Sequence, residues 1–289
     1  KFGGTSVQNA ANINKAIAII REKRADDKLL VVVSAFGGIT NKLIEVCNLA
    51  AKGDNTYTTT LKEIETRHID TIKELIKSNN QDAVVEHVRI MIKSFDDLLH
   101  GIFLLRELSP RTLDLIMSYG ERLSAYIISY ALKEIGINSE FLDSRDVVKT
   151  DKHFGSAKVQ FDLTNKLIKQ KVGDASKLFV TTGFIGSTVD NETTTLGRGG
   201  SDYSGAIFAA ALDAKILEIW TDVDGMMTAD PRKVKKAYPI KHISYSEAME
   251  LSHFGAKVLE PRTVLPALSK AIPILIKNTF EPEATGTLI

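Results

Sequence analysis

The chain has 289 residues, of which 44% are hydrophobic and 25% are charged, the balance of an ordinary globular protein rather than a disordered or membrane-embedded one. Its 37 basic and 36 acidic side chains give a formal net charge of +1, so no overall field would attract nucleic acid or an anionic membrane, and we expect neither as a partner. No apolar run approaches the roughly 20 residues that cross a bilayer and no leader opens the chain, so we expect a cytoplasmic protein.

Disulfides and transition-metal sites are also not expected. Cys47 is the single cysteine, and the six histidines form neither a zinc-binding Cys/His spacing nor an H-E-x-x-H pair. The chain begins at Lys1 rather than at a methionine and stops abruptly at Ile289. We therefore expect a single domain over 1–289, cut from a longer polypeptide and close to the size at which one hydrophobic core stops growing.

Apolar periodicity predicts alternating helices and strands. In chain order these are a helix over 9–24, a strand over 29–33, helices over 60–78, 82–108 and 112–135, a strand over 177–185, a helix over 201–212, and strands over 216–221 and 274–277. Such alternation predicts an α/β fold with a largely parallel, helix-covered sheet. Residues 60–135 carry three helical patterns and no strand, and we interpret them as a helical excursion from the sheet.

Glycines cluster where predicted strands end or predicted helices begin. The clusters are Gly3 and Gly4, Gly37 and Gly38, Gly183 and Gly186, and Gly197, Gly199 and Gly200. Ligands of open α/β sheets bind at the carboxyl ends of the strands, where such loops converge. The sequence therefore predicts a ligand site built from glycine loops.

The first glycine pair follows a lysine. Gly3 and Gly4 would let the backbone approach a phosphate, Thr5 and Ser6 could cap the next helix, and Lys1 is a plausible phosphate ligand. The order differs from a Walker A loop, in which the lysine follows the glycines. The alternative is a plain strand-to-helix turn with an exposed lysine.

Two other segments allow similar pairs of interpretations. Thr40, in the loop over 34–41, could line a pocket or act only as a helix N-cap. Lys257, beside Gly255 near a predicted helix start, could face a phosphate as Lys1 does, or could be an ordinary solvated lysine.

The loop over 195–204 gives a sharper prediction. Ser201 is placed to cap the next helix, and Asp202 in its first turn is favoured by the helix dipole. Arg198 has no such explanation, because a cation beside a positive helix end is unfavourable unless both share an anion. We therefore predict a carboxylate or phosphate partner for Arg198 rather than a surface role.

Acidic and basic side chains follow the strand over 216–221. Asp222 and Asp224 do not match a calcium loop, since Met226 stands where a further oxygen ligand is needed. The Asp224 and Gly225 pair could simply form a turn. Beyond it, residues 229–233 supply basic side chains, among them Arg232, near where nucleotide phosphates could lie.

These segments in this order resemble the aspartokinase branch of the amino acid kinase family, over nearly the whole chain. The matching stretches are 1–6, 32–35, 38–41, 119–124, 197–203, 220–232, 244–259, 276–279 and 286–287. Residues 98–102 and 247–252 look closest to the form fused to homoserine dehydrogenase. Two positions depart from the family pattern: Met227 replaces a usual tyrosine, which puts aromatic packing near the nucleotide in doubt, and Glu260 replaces a usual histidine.

The resemblance implies a three-layer α/β/α sandwich with a largely parallel central sheet. It implies that residues 1–195 hold the amino acid and 196–289 hold ATP, with no ACT regulatory or dehydrogenase region in this chain. It further implies transfer of a phosphoryl group from ATP to L-aspartate, giving 4-phospho-L-aspartate and ADP, the first step toward lysine, threonine and methionine. Mg²⁺ would be carried by ATP, with no metal ligand assigned to the protein, and we expect a homo-oligomer.

The same resemblance implies roles for individual residues. Lys1 and Lys257 would face the transferred phosphoryl group, oriented by Asp202, while Glu121 meets the substrate ammonium and Arg198 a substrate carboxylate. The remaining pocket residues would be Thr40, Gly199, Gly200 and Ser201. The nucleotide site would comprise Lys1, Phe2, Gly3, Gly4, Thr221, Asp222, Arg232, Lys257 and Val258.

This chemistry suits the residues, because a carboxylate acceptor with a pKa near 3.9 is already the nucleophile at neutral pH and needs no general base. Three alternatives stay open. The chain could be a sibling kinase acting on glutamate, acetylglutamate or carbamate, or a non-catalytic module that senses a nucleotide or amino acid. A dinucleotide-binding dehydrogenase domain fits least, because the first strand is not followed by a G-x-G-x-x-G turn.

Overall fold

A mixed sheet with parallel strands at its centre organises the chain, and helices cover both of its faces. The computed structural model describes residues 1–26, 28–173, 176–229, 234–253 and 260–289. The helices are α1 Ala10–Asp26, α2 Ile39–Lys52, α3 Tyr57–Leu75, α4 Gln81–Leu105, α5 Pro110–Glu134, α6 Phe161–Val172, α7 Gly200–Ala211, α8 Tyr245–His253 and α9 Leu265–Leu268. The strands are β1 Leu30–Val33, β2 Ser139–Leu142, β3 Leu178–Thr182, β4 Ile185–Ser187, β5 Thr193–Thr195, β6 Leu217–Thr221, β7 Ile274–Asn278 and β8 Thr287–Leu288.

The central sheet has two parts. Strands β1, β3 and β2 are parallel with β3 in the middle, and Val31 is opposite Val180. Strands β6 and β7 are also parallel, and β8 adds an antiparallel edge. Phe2 joins the two parts, because it forms parallel bridges to both Val33 of β1 and Trp220 of β6.

Alternate residues of the strands face two different helical layers. Val31 and Val33 of β1 lie in the apolar core formed with α1 to α5, whereas Val32 packs on the opposite side with Ile207 and Phe208 of α7. A strand with both faces buried is apolar at every position, which explains the continuous Val-rich run of β1. This arrangement confirms the predicted three-layer α/β fold with a largely parallel sheet.

Helices α3, α4 and α5 form the predicted excursion over 60–135. Their inward faces carry fully buried side chains such as Ile64, Phe95 and Leu123. Helix α5 begins with Ser109 as N-cap, whose side chain accepts a hydrogen bond from the Thr112 N–H, and Pro110 occupies its first position. Both residues are typical of a helix N-terminus.

The predicted single strand over 177–185 is wrong. It ends at Thr182, and the chain turns at Phe184, whose φ of 66° no strand tolerates. The chain then enters an antiparallel pair, β4 with β5, that periodicity did not predict.

Within the described part of the chain, no helix is long and apolar enough to cross a membrane.

Candidate active site

Lys1 and Phe2 lie at the centre of the sheet, between β1 and β6. The Phe2 N–H donates to the Val32 carbonyl at 2.8 Å, and the Trp220 N–H donates to the Lys1 carbonyl at 2.8 Å. Gly3 continues this segment by donating to the Trp220 carbonyl at 2.9 Å. The first glycine pair therefore emerges at the edge of the sheet where β1, β3 and β6 end, which we term the carboxyl edge.

The side chain of Lys1 forms an ion pair with Asp202. Its Nζ lies 2.5 Å from Asp202 Oδ1, and the two side chains are only 8% and 16% exposed. Asp202 lies in the first turn of α7, as predicted, and Gly205 one turn later leaves room for the Lys1 side chain, whose Cβ would lie 3.4 Å from an added methyl group. Helix α7 therefore holds Lys1 at the carboxyl edge.

The second glycine loop, residues 34–41, packs against the first. A methyl group on Gly4 would lie 3.1 Å from the Ala35 carbonyl oxygen, and one on Gly37 would lie 3.2 Å from the Gly4 carbonyl oxygen. Side chains at either position would force the loops apart, since such contacts are tighter than ordinary van der Waals separations. The two loops thus depend on glycine for their close approach.

Glu121 of α5 joins this pair of loops from the side. Its Oε1 accepts a hydrogen bond of 3.2 Å from the Ala35 N–H, and its side chain is 3% exposed. Burial raises the pKa of Glu121 to about 8, while the Ala35 N–H and the charge of Lys1 act in the opposite direction. A cation that enters beside this group would stabilise its ionised form, because a buried charge is costly unless it is paired.

The third glycine loop, residues 195–204, approaches β3 and β4. A methyl group on Gly183 would lie 2.8 Å from Ser201 Cβ, and one on Gly200 would lie 2.7 Å from the Phe184 ring. Ser201 is thereby placed beside the end of β3. Arg198 is exposed in the same loop, immediately before the N-terminus of α7.

The predicted nucleotide residues Thr221 and Asp222 lie at the end of β6. The Thr221 hydroxyl donates to Asp222 Oδ1 at 3.2 Å, and Asp222 is exposed. The Thr279 N–H donates to the Thr221 carbonyl at 2.8 Å, and the Thr279 hydroxyl shares a 2.7 Å hydrogen bond with Ser6. These bonds connect the first glycine loop to the ends of β6 and β7.

The structure thus brings most predicted site residues to the carboxyl edge. The members placed there are Lys1, Phe2, Gly3, Gly4, Glu121, Gly199, Gly200, Ser201, Asp202, Thr221 and Asp222. Thr40 is half-buried at the start of α2, in the second glycine loop. Three predicted residues, Arg232, Lys257 and Val258, lie outside the described residues.

Three predicted helix caps are wrong. Gly38, with a φ of 82°, is the N-cap of α2 instead of Thr40. Gly199, with a φ of 68°, is the N-cap of α7 instead of Ser201. Glycine adopts this left-handed conformation at little cost, so each helix starts two residues earlier than a hydroxyl cap would place it.

The third wrong cap concerns α1. Thr5 and Ser6 form a short 3-10 helix, and the side chain of Asn9 accepts the capping hydrogen bond from the Asn12 N–H at 2.9 Å. The Ser6 hydroxyl instead bonds to Thr279.

The model of the amino acid kinase family matches residues 1–278. The chain belongs to the amino acid kinase family. It is 36% identical over 297 residues to bifunctional aspartokinase/homoserine dehydrogenase 2, chloroplastic, of Arabidopsis thaliana, a match that covers 100% of this chain and 32% of the relative. It is 36% identical over 301 residues to lysine-sensitive aspartokinase 3 of Escherichia coli strain K12, covering 100% of this chain and 63% of the relative.

Solved structures show the same relationship. The crystal structure of E. coli aspartokinase III in complex with aspartate and ADP superposes with a TM-score of 0.91 at 34% identity, covering 99% of this chain and 63% of that one. This member of the amino acid kinase family therefore spans only part of the length of these relatives: 32% of the Arabidopsis protein and 63% of the E. coli protein.

Two residues that help to build this amino acid kinase site were not singled out from the sequence. Asp114 of α5 is 1% exposed and accepts hydrogen bonds from Gly155 and Thr195. Arg67 of α3 donates to the carbonyl oxygens of Gln8 and Gly37. Asp114 could have been flagged, because it precedes Glu121 by two helical turns and so shares its face.

A cavity of about 650 Å³ opens at the opposite edge of the sheet, where the strands begin, and extends to Lys1 and Phe2 between β1 and β6. Its lining at that edge includes Leu29, Lys177, Ile216 and Glu218. The glycines of the three loops do not line it, and ligands of open α/β sheets bind at the carboxyl ends of the strands. We therefore place the candidate active site at the carboxyl edge.

Proposed function

We propose that the chain is the kinase domain of an aspartate kinase, which converts ATP and L-aspartate to ADP and 4-phospho-L-aspartate. The observation that carries the proposal is the buried Lys1–Asp202 ion pair at the meeting point of the glycine loops, in a fold that superposes on an aspartokinase bound to aspartate and ADP. Residues 1–195 would form most of the part that holds the amino acid and 196–289 most of the part that holds the nucleotide, with the segment over 1–4 and the loop over 195–204 at the boundary between them.

Lys1 would stabilise the charge of the phosphoryl group during transfer. Its ammonium group is fixed by Asp202 and needs no reorganisation when charge shifts among the phosphate oxygens. The backbone of Gly3 and Gly4 would lie beside the same phosphates, where no side chain keeps them away. By resemblance to aspartokinases, Lys257 would act as a second cation on this group.

Glu121 and Arg198 would recognise the two charged ends of the substrate. The buried carboxylate of Glu121 would pair with the α-ammonium group of aspartate, and the exposed guanidinium of Arg198 would bind a substrate carboxylate, often in a bidentate manner. Thr40, Gly199, Gly200 and Ser201 would complete this pocket.

The nucleotide would lie over the ends of the Phe2 segment and β6. Thr221 and Asp222 lie at that end, and Arg232 and Val258 are assigned to the same site by resemblance alone.

No group of three His, Cys, Asp or Glu side chains that could hold a metal ion occurs among the described residues. We propose that Mg²⁺ is held by the ATP phosphates, where it would neutralise charge and fix their orientation.

The acceptor needs no catalytic base in this proposal. The side-chain carboxylate of aspartate is ionised at neutral pH and attacks the γ-phosphorus directly, while the bond from that phosphorus to the β-γ bridging oxygen breaks. The protein's contribution is to align the two reactants and to neutralise the charge on the transferring oxygens.

The test is formation of an acyl phosphate in the full-length protein. With ATP and Mg²⁺, L-aspartate should increase ADP release and yield a hydroxamate when hydroxylamine is present. Parallel reactions with glutamate, acetylglutamate and carbamate would reveal a sibling kinase. If none of the acceptors increased ADP release although ATP still bound, the non-catalytic alternative would replace our proposal.

A further inference from the structure

Asp114 is a buried carboxylate of α5 with three hydrogen-bond donors. Its Oδ2 accepts from the N–H groups of Gly155 and Thr195, and its Oδ1 accepts from the Thr195 hydroxyl, each at 2.8 Å. The side chain is 1% exposed. Burial raises the pKa of Asp114, and the three donated hydrogen bonds act in the opposite direction by favouring the carboxylate.

These bonds fix the place from which the Arg198 loop departs. Thr195 is the last residue of β5, and its carbonyl oxygen accepts a hydrogen bond of 2.9 Å from the Ala157 N–H. A methyl group on Gly197 would lie 3.2 Å from the Gly155 carbonyl oxygen, so the loop touches the segment around Gly155 directly. Asp114 accepts hydrogen bonds from both segments that meet here, from Gly155 on one side and from Thr195 on the other.

The same helix carries Glu121 two turns later. Seven residues of α-helix span about 10 Å, and residues so spaced lie on one face. Helix α5 thus holds Glu121 directly and holds the base of the Arg198 loop through Asp114. No other described side chain of α5 makes a hydrogen bond to that loop.

The hydrogen bonds of Asp114 are not needed to keep α5 in place. Its apolar face is fully buried in the main core through Ile116, Leu123 and Ile127, each at 0% exposure. Removal of the carboxylate should therefore loosen the Thr195 segment rather than the helix.

We propose that Asp114 is a positioning residue that sets the distance between Glu121 and Arg198, and with it the enzyme's selectivity for a substrate that carries both an ammonium group and a carboxylate. This inference rests on the proposed function. Asp114 contacts neither substrate in the proposal, and its effect on the reaction passes through Thr195 and the loop that follows it.

The first test compares three variants in the full-length protein. Asp114→Asn keeps one oxygen for the two main-chain N–H groups but removes the negative charge, and it should raise the KM for aspartate about tenfold, because charge-assisted hydrogen bonds are replaced by weaker neutral ones. Thr195→Val removes a single hydroxyl without changing shape and should raise that KM by roughly three- to fivefold. Thr195→Ser keeps the hydroxyl and should therefore retain the wild-type KM for aspartate.

The KM for ATP should change less than twofold in all three variants, because the Asp114 contacts lie on the aspartate side of the site. Ser129→Ala is the matched control, since the Ser129 hydroxyl is buried on the same helix and donates only to the Tyr126 carbonyl. It should leave both KM values unchanged. If Asp114→Asn fails to fold, Thr195→Val still decides the outcome.

A double-mutant cycle identifies the route of the effect. If Asp114 acts through Arg198, adding Thr195→Val or Asp114→Asn to Arg198→Ala should raise the KM for aspartate little further. Adding either substitution to Glu121→Gln should raise the KM by the same factor as it does in the wild-type protein. Full additivity with Arg198→Ala, an equal rise in the KM for ATP, or a wild-type KM for aspartate in both variants would overturn the inference. A wild-type protein that forms no acyl phosphate would instead refute the proposed function.

Discussion

Lys1 and Asp202 meet as an ion pair of 2.5 Å at the centre of the molecule, one from the segment that joins the two parts of the sheet and the other from the first turn of α7. Both side chains are largely removed from water. A pair in this position holds its charges in a fixed geometry, at the cost of their hydration.

We expect Asp202→Asn to lower kcat about a hundredfold, which corresponds to about 3 kcal/mol in the barrier. The variant would leave the Lys1 ammonium group without its fixed anion, free to turn away from the phosphates. Steady-state kinetics with saturating ATP and aspartate measure this change.

Asp213→Asn is the matched control for that prediction. Asp213 follows the other end of α7 and pairs with Lys169 and Lys270, but its side chain is 56% exposed. Surface ion pairs contribute little to stability, so kcat should stay within twofold of wild type. Equal losses in both variants would show that Asp202 acts only through general stability.

The pKa of Glu121 predicts that aspartate binding depends on pH. Because burial raises this pKa to about 8, the carboxyl group of the free protein is largely protonated at pH 7. In the proposed function the substrate ammonium group pairs with the carboxylate form of Glu121, so binding would release a proton. The KM for aspartate should fall roughly tenfold per pH unit between pH 6 and 7.5, and level off above pH 8.

Glu121→Gln should abolish this pH dependence, because the amide does not titrate, and should raise the KM at pH 8 at least tenfold. The measurement is the KM for aspartate at saturating ATP across pH 6 to 9. A wild-type KM that stays constant over this range would contradict the proposed contact between Glu121 and the ammonium group.

Arg67 provides a third prediction, because it ties two glycine loops together from outside the sheet. One of its guanidinium nitrogens donates to the Gln8 carbonyl at 2.7 Å and to the Gly37 carbonyl at 2.8 Å. Arg67→Met should lower kcat/KM for both substrates about tenfold, since two charge-assisted hydrogen bonds are lost and both loops are freed.

Lys73→Met on the same helix serves as the control. Lys73 is exposed, and its loss should leave kcat/KM within twofold of wild type. Arg67→Lys should recover only part of the activity, because an ammonium group does not reproduce the planar fork of arginine. A fall in kcat/KM for aspartate alone would show that Arg67 supports only the second glycine loop.

Local patterns predicted most of the fold and the general place of the site. The Val-rich run of β1 and the three glycines around the start of α7 are short-range features, and they led to the right element types and to the edge of the sheet where the loops converge. The helix starts failed at Thr40 and Ser201, because glycines in the left-handed conformation take the N-cap positions. A single sequence does not reveal which glycine adopts a positive φ.

Contacts between distant segments were beyond the sequence. The bridges of Phe2 to β1 and β6, the hydrogen bond between Ser6 and Thr279, and the bonds of Asp114 all join elements separated by long stretches of chain. Periodicity gives the buried face of a helix but not its partner. The roles of individual site residues and the division at residue 195 therefore stay predictions that the variants above can test.

His68 gives a final prediction, which concerns stability. Its ring stacks on Phe36 of the second glycine loop with centroids 4.8 Å apart, and its side chain is fully buried. Its Nδ1 lies 2.7 Å from the Ile64 carbonyl oxygen, while Nε2 has no hydrogen-bond partner within the described part of the chain. Burial lowers the pKa of His68 to about 4, with the charge of Arg67 acting in the same direction and the Ile64 carbonyl opposing it.

This shift makes the folded state weaker at acidic pH. Between the unfolded pKa of about 6.5 and the folded value of about 4, the unfolded chain binds a proton that folded His68 refuses, so the free energy of unfolding falls as pH decreases. The contribution should approach 1.4 kcal/mol per pH unit below pH 6 and total about 3 kcal/mol. The raised pKa of Glu121 acts in the opposite direction, because it makes the folded state more stable as pH falls. The free energies of unfolding must therefore be compared between proteins that both retain Glu121.

His68→Phe isolates the effect, because it keeps an aromatic ring against Phe36 and removes the titrating group. Urea unfolding at pH 7, 6 and 5 should show the stability of wild type falling relative to His68→Phe with each step toward acid. Ser129→Ala, which changes no titratable group, should keep a constant difference from wild type over the same range. If the difference in the free energy of unfolding between wild type and His68→Phe also stayed constant, the imidazole would have to accept its proton in the folded protein. The loop over 34–41 would then have to open around Phe36 at acidic pH.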